Sequence, residues 1–147
     1  MAIIVYNRTK ESHGGPNNYP IFRPSVLGNP FTHIKERNTK AMYVVGSRDE
    51  AIDRYSEYFD IMYGANRAFT KVIDEIYEKY KNGEDVYLEC YCKKYCTEDQ
   101  NKHIDEVRCH GDIIAEKLRK RLIKEKFKSI YKSNAGTVTP LNNDNTP

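Results

Sequence analysis

The order in which strand-like and helix-like periods follow one another restricts the fold of this chain more than any other feature. An apolar run rich in β-branched residues at 2–6 predicts a buried strand, and residues 86–92 alternate as a second strand does. Between them, the segment behind residues 47–50 and the segment 66–82 repeat apolar side chains at the helical period. A third helical pattern covers residues 111–132. This order predicts an α/β domain with a short, mainly parallel sheet, its strands joined by helical crossovers.

Shorter segments are assigned from turn residues and local patterns. Residues 9–20 are polar and rich in turn formers, which predicts a loop, and residues 27–31 predict a turn. Residues 42–45 predict a short strand. Ser47 and Glu50 form a capping-box pattern in which the glutamate is expected to reach back to the serine amide.

Length and composition indicate one domain. The 147 residues are 39% hydrophobic and carry a formal net charge of +3. We expect a single domain over residues 1–133, followed by a polar, aperiodic and disordered tail over residues 134–147. No apolar run approaches the roughly 20 residues that span a bilayer, so no membrane partner and a cytoplasmic location are expected. In that compartment clustered cysteines indicate metal binding or chemistry more often than disulfides.

All four cysteines lie within residues 90–109. Zinc is bound by four Cys or His ligands in a tetrahedron, and the candidates are Cys90, Cys92, Cys109 and His110. Zinc is the one cofactor that these residues suggest. Alternatively, Cys90 and Cys92 are buried thiols of the strand. In a third interpretation Cys109 is a catalytic and unusually reactive thiol, because a helix start and a neighbouring histidine lower a thiol pKa.

Two segments resemble parts of a ligand site. At the predicted helix start, Gly111 permits close approach of a ligand and backbone amides attract anions, while Asp112 is a candidate for a ribose contact, a general base or a helix cap. The loop of residues 22–31 is fixed by two prolines, and Gly28 is able to adopt a positive φ. Its candidate ligand-binding residues are Arg23, Ser25, Gly28, Asn29 and Phe31. Because both segments follow parallel strands, we expect them to share one pocket at the carboxyl edge of the sheet.

The third predicted helix is strongly basic. Residues 115–132 contain eight Lys or Arg residues and two glutamates, with Leu118, Leu122 and Phe127 expected to face inward. A solvated helix face is the favoured interpretation, and contact with nucleic acid is the alternative.

Four motifs, in this order, resemble domain-of-unknown-function family 4326, which is found in bacteria and often in bacteriophages. They are residues 23–31 (RPSVLGNPF), 47–55 (SRDEAIDRY), 88–92 (LECYC) and 109–115 (CHGDIIA). The chain departs from the family pattern at Tyr91, where tryptophan is usual, in lacking a proline after Cys92, and in a polar insert over residues 97–108. The resemblance implies a small Rossmann-like three-layer fold, and a phage setting would suit nucleotide metabolism or base modification.

Two functions are consistent with these residues. In the first, the protein binds a nucleotide or related phosphorylated ligand, as a sensor, a sequestering protein, or a hydrolase or transferase with Asp112, His110 and Cys109 as catalytic residues. In the second, it is a zinc-stabilised module that contacts nucleic acid or protein through its basic helix.

Overall fold

The computed structural model describes residues 2–9, 12–32, 43–91 and 109–133 of the chain. Cys92, the insert of residues 97–108 and the tail of residues 134–147 lie outside the described residues. The chain divides after Glu116 into two compact units.

A three-stranded parallel sheet forms the centre of the first unit. Its strands are β1 (Ala2–Asn7), β2 (Asn18–Pro20) and β5 (Asp85–Cys90), and β5 lies between the other two. Ala2 is paired with Asp85 and Asn7 with Cys90, so β1 and β5 end together at one edge. The predicted α/β fold with a short parallel sheet is therefore confirmed.

Strand β2 was predicted to be a loop, and that prediction is wrong for residues 18–20. This strand is held by backbone hydrogen bonds, from Tyr87 N to Asn17 O (2.9 Å) and from Ile21 N to Glu89 O (2.8 Å). It lies at the edge of the sheet. Pro20 has no amide hydrogen, and at an edge position this costs no hydrogen bond to a further strand. The strand has only three residues and none of them is buried, so the side chains carry no alternating pattern that would reveal it.

A second, two-stranded parallel sheet pairs β3 (Phe31–Thr32) with β4 (Tyr43–Val44). The predicted strand at residues 42–45 is confirmed at Tyr43–Val44. The predicted turn at residues 27–31 is wrong at its last residue, where β3 begins.

Side-chain caps begin the two helices that precede β5. Helix α1 (Arg48–Ala65) begins where Ser47 Oγ accepts a hydrogen bond from Glu50 N at 3.0 Å. The Glu50 carboxylate accepts from Gly46 N at 3.0 Å, one residue before the predicted position. Helix α2 (Arg67–Lys81) begins at Asn66, whose Oδ1 accepts from Phe69 N at 2.9 Å.

The core of the first unit joins the sheet to one face of each helix. From β1 and β5 it contains Ile3, Ile4, Val5, Tyr6, Val86, Leu88 and Cys90; from α1 and α2, Ala51, Ile52, Tyr55, Phe59, Phe69, Ile73, Ile76 and Tyr77. A third helix, α3 (His110–Ser133), begins in this unit and adds Ile113, Ile114 and Ala115. No helix among the described residues is long and apolar enough to cross a membrane.

The described part of the second unit is the remainder of α3, residues 117–133. Arg121 and Glu125 form an ion pair of 3.4 Å one turn apart. Phe127, predicted to face inward, is 61% exposed, and its ring packs edge-on against Tyr131 with centroids 5.1 Å apart. The inward assignment of Phe127 is therefore wrong, because the apolar period of the first turns does not continue to this position.

Candidate functional site

A cavity of about 280 Å³ lies at the carboxyl end of β5, within the first unit. It is bounded by the end of β5, the loop after β2, the first turns of α1 and the first residue of α3. Its lining residues are Phe22, Arg23, Asn29, Phe31, Thr32, Arg48, Ala51, Cys90, Tyr91 and His110. The two segments that the sequence predicts to share a pocket, the 22–31 loop and the start of α3, do meet here.

The charges of this lining have one sign. Two arginines supply them, and no aspartate or glutamate occurs among the described lining residues. The remaining wall is largely aromatic, formed by Phe22, Phe31 and Tyr91. A cavity of this composition attracts an anion and offers apolar surface to the rest of the ligand.

Arg23 fixes the shape of the loop as well as lining the cavity. Its Nη1 donates to Asn29 O at 2.7 Å and to Phe31 O at 3.3 Å. Both bonds use Nη1, and the guanidinium carries further N–H donors. Arg23 therefore combines a structural role with the ability to contact an anion.

Gly28 is required by close packing rather than by a positive φ. Among the described residues positive φ values occur only at other glycines, so this part of the prediction is wrong. A Cβ at Gly28 would lie 3.1 Å from Arg23 Cα and 3.1 Å from the Ser25 carbonyl oxygen. The loop closes so tightly at this point that a side chain would have to displace backbone.

Asn29 ties the loop to α1. Its Nδ2 donates to Ala51 O at 3.1 Å, and its Oδ1 accepts from Phe31 N at 3.0 Å. Tyr55 adds a second tether by donating its hydroxyl hydrogen to Leu27 O at 2.8 Å. Burial of this phenol raises the pKa of Tyr55 well above its ordinary value, so the tether persists at neutral pH. Asn29 lines the cavity, but its side-chain amide is already hydrogen-bonded to protein backbone groups.

Ser25 does not line the cavity, although the sequence predicts it as a ligand-binding residue. Its hydroxyl oxygen is buried and has no hydrogen-bond partner among the described residues. Its backbone is ordered by two turn bonds, since Ser25 N donates to Phe22 O and Ser25 O accepts from Gly28 N, each at 2.9 Å.

His110 lies at the junction of the loop and α3. Its Nε2 is 2.6 Å from Ile21 O, and a carbonyl only accepts, so Nε2 carries the hydrogen. In the neutral ring Nδ1 is then the acceptor, and it lies 3.8 Å from Cys109 Sγ. The ring also packs edge-on against Tyr55, with centroids 4.8 Å apart. Both ring nitrogens thus contact protein groups.

The neighbours of His110 in the sequence, Cys109, Gly111 and Asp112, stabilise the helix start and do not line the cavity. Asp112 Oδ2 accepts from Cys109 N at 3.0 Å, which is the helix-cap alternative among its predicted roles. Gly111 was predicted to admit a ligand, but a Cβ there would lie 2.7 Å from Ile21 Cδ1 and 2.8 Å from Val5 Cγ1. Gly111 therefore permits close packing of α3 against β1 and the residue after β2.

The cysteines do not form a metal centre within the described part of the chain. Cys90 and Cys109 are thiols, both buried with 0% exposure. Cys92, the remaining cysteine among the predicted zinc ligands, lies outside that part. Within the described ranges no group of three or more His, Cys, Asp or Glu side chains is arranged to hold a metal ion.

Sequence reasoning missed several lining residues. Arg48 belongs to the predicted cap of α1, Thr32 to the unpredicted β3, and Tyr91 directly follows β5. Tyr91 was placed inside the strand predicted over residues 86–92, whereas β5 ends at Cys90. Its position near a strand's carboxyl end could still have indicated the cavity, because ligands collect beyond the carboxyl ends of parallel strands.

Comparison with protein families agrees with the motifs that surround this cavity. The sequence profile described as "Domain of unknown function (DUF4326)" matches residues 4–120. The chain belongs to this family. The matched region includes every residue that lines the cavity. No curated protein and no solved structure is significantly similar to the chain.

Proposed function

We propose that this protein binds a small phosphorylated ligand, a nucleotide or a related compound, in the cavity at the carboxyl end of β5. The observation that carries the proposal is the composition of the lining: Arg23 and Arg48 lie beside an aromatic wall, and no carboxylate occurs among the described lining residues. Arginine suits this role because its planar fork of N–H donors matches the oxygens of a phosphate group.

The location supports the same proposal. In parallel sheets ligands bind beyond the carboxyl ends of the strands, and Cys90, the last residue of β5, is part of the cavity wall. The volume of about 280 Å³ lies just below the roughly 300–1,000 Å³ typical of small-molecule pockets. A ligand of mononucleotide size or smaller is therefore favoured over a dinucleotide.

The geometry favours binding over turnover. Acid–base catalysis requires a titrating group that faces the reacting atoms. His110 directs Nε2 to Ile21 O and Nδ1 to Cys109 Sγ, and the Asp112 carboxylate caps its own helix. The three residues predicted to be catalytic thus interact with the protein itself, which is the arrangement expected of a preformed binding site.

The test is a thermal-unfolding and calorimetric titration with inorganic phosphate and nucleoside mono- and diphosphates. A ligand at 100 times its Kd should stabilise the protein by about 2.7 kcal/mol, or roughly 5–10 °C in Tm. Arg48→Gln should weaken binding by about 10- to 150-fold, the worth of a charged hydrogen bond.

Arg67→Gln is the matched control, since Arg67 begins α2 as Arg48 begins α1 but does not line this cavity. It should leave the affinity unchanged. The proposal is overturned if no phosphorylated compound binds, or if both glutamine variants lose affinity equally.

A further inference from the structure

Two aromatic side chains form a corner of the cavity wall. Phe22, which follows β2, and Tyr91, which follows β5, have ring centroids 4.8 Å apart and planes inclined at 62°. Both line the cavity, and Tyr91 is 54% exposed although its neighbour Cys90 is fully buried. A large exposed aromatic beside a positively charged cavity is a surface on which a planar ring can stack.

Arg8, a residue outside the cavity lining, contacts both rings. Its guanidinium carbon lies 5.3 Å from the centroid of Phe22 and 5.4 Å from that of Tyr91, within cation–π range. Arg8 has two further contacts, one through its backbone and one through its side chain. Its backbone N donates to Cys90 O at 2.9 Å, and its Nε lies 3.9 Å from Glu89 Oε2.

The end of β1 also holds the backbone of Tyr91. Asn7 Nδ2 donates to Tyr91 O at 2.9 Å. Asn7 Oδ1 in turn accepts from Thr9 N at 2.8 Å and Thr9 Oγ1 at 2.7 Å, so the amide is fixed in orientation. Asn7 is only 9% exposed, which protects these bonds from competing water. The aromatic corner is therefore organised before a ligand arrives.

We propose that this corner receives the planar ring of the ligand, and that Arg8 is a positioning residue that holds Phe22 and Tyr91 in place. The inference rests on the proposed function, in which Arg23 and Arg48 hold the phosphate. It narrows the ligand class to compounds that carry both a phosphate and a flat ring, such as nucleoside monophosphates, and disfavours sugar phosphates without a base.

The contribution of the ring to affinity is distinguished from that of the phosphate by calorimetry with three kinds of probe. These are inorganic phosphate, ribose 5-phosphate, and the four common nucleoside monophosphates. Stacking of one base contributes an affinity gain of roughly 5- to 150-fold. At least one nucleoside monophosphate should bind the unmodified protein more tightly than ribose 5-phosphate by that factor.

Variants of the corner should remove this gain selectively. Phe22→Leu and Tyr91→Leu should bring nucleotide affinity close to that of ribose 5-phosphate, whose own affinity stays unchanged. Tyr131→Leu, at an exposed tyrosine of α3 outside the cavity lining, should alter neither value.

Arg8 is tested by two substitutions. Arg8→Gln should reduce the nucleotide-to-sugar-phosphate affinity ratio, and Arg8→Lys should restore most of it because lysine retains a cation near the rings. Circular dichroism verifies that each variant is folded. Equal loss of nucleotide and ribose 5-phosphate affinity in Arg8→Gln would overturn the positioning role.

The possible failures are distinguishable. Absence of binding by all three kinds of probe overturns the proposed function together with this inference. Equal binding of ribose 5-phosphate and all four nucleotides, unaffected by Phe22→Leu, overturns the inference alone and leaves a phosphate site in place.

Discussion

Replacement of Gly111 by alanine should destabilise the protein through one methyl group. The new Cβ would lie 2.7 Å from Ile21 Cδ1, 2.8 Å from Val5 Cγ1 and 3.3 Å from Val5 Cγ2. The Ile21 methyl ends a flexible side chain and can rotate aside. Val5 cannot, since its β-branched side chain is stiff at χ1 and is buried with 0% exposure. Helix α3 or strand β1 must therefore shift.

The size of the effect follows from two opposing contributions. Overpacking of a buried contact costs about 1–3 kcal/mol. Alanine also gains up to about 1 kcal/mol of helix propensity over glycine, less in a first turn, where Gly111 lies. We expect the free energy of unfolding to fall by about 1–2 kcal/mol. Urea denaturation measures this as a lower midpoint at an unchanged m-value.

Gly14 provides the matched control for this substitution. A Cβ there meets nothing within 4 Å, and its φ is not in the left-handed region. Gly14→Ala should be neutral or stabilising by up to about 1 kcal/mol. If Gly111→Ala were as stable as Gly14→Ala, the close packing of α3 against Val5 would be refuted.

Three further outcomes follow from burial and hydrogen bonding. Ser25→Ala should not lower the Tm, because it removes a buried hydroxyl that has no partner among the described residues; a loss above about 1 kcal/mol would reveal an unrecognised bond. In timed alkylation followed by mass spectrometry, Cys90 should react faster than Cys109, because both are buried but only Cys90 lines the cavity; faster reaction of Cys109 would restore the interpretation of a reactive thiol. Burial and the Glu89 carboxylate raise the pKa of Tyr6 to about 12, whereas an unfolded tyrosine titrates near 10. Stability from Tyr6 should thus be complete below pH 10 and fall between about pH 10 and 12, and Tyr6→Phe should make this fall shallower in urea titrations.

The sequence was sufficient to predict features that depend on side-chain periodicity. Strand β1 is a continuous apolar run and α2 has apolar residues at the helical period, so both elements could be predicted. The meeting of the 22–31 loop with the start of α3 was predicted on the assumption that the loop leaves the first strand. The loop follows β2 instead, but β1 and β2 both run parallel to β5, so their following segments reach the same edge. By contrast, β2 has only three residues and none of them is buried, so no side-chain pattern marks it.

Roles of individual site residues were harder to predict, because one side chain has the same chemistry in a cap as in a catalytic site. Asp112 was considered for both, and only the distance of 3.0 Å from its Oδ2 to Cys109 N distinguishes them. Similarly, Gly111 admits a close neighbour whether that neighbour is a ligand or Val5. Sequence identifies which groups are available, whereas contacts determine how they are used.

Two residues predicted to act on or bind a ligand, His110 and Asn29, join the walls of the cavity. His110 links α3 to the residue after β2 through Ile21 O, and Asn29 links the loop to α1 through Ala51 O. Each bond joins a different pair of cavity walls, so a substitution at either residue should loosen the cavity as well as remove a polar group. A site fixed in this way loses little conformational entropy when a ligand binds, which favours affinity. Loss of binding on substitution of His110 is therefore expected without any chemical step at its imidazole. The cleaner evidence on function comes from substitutions of Arg48 and Tyr91, which line the cavity.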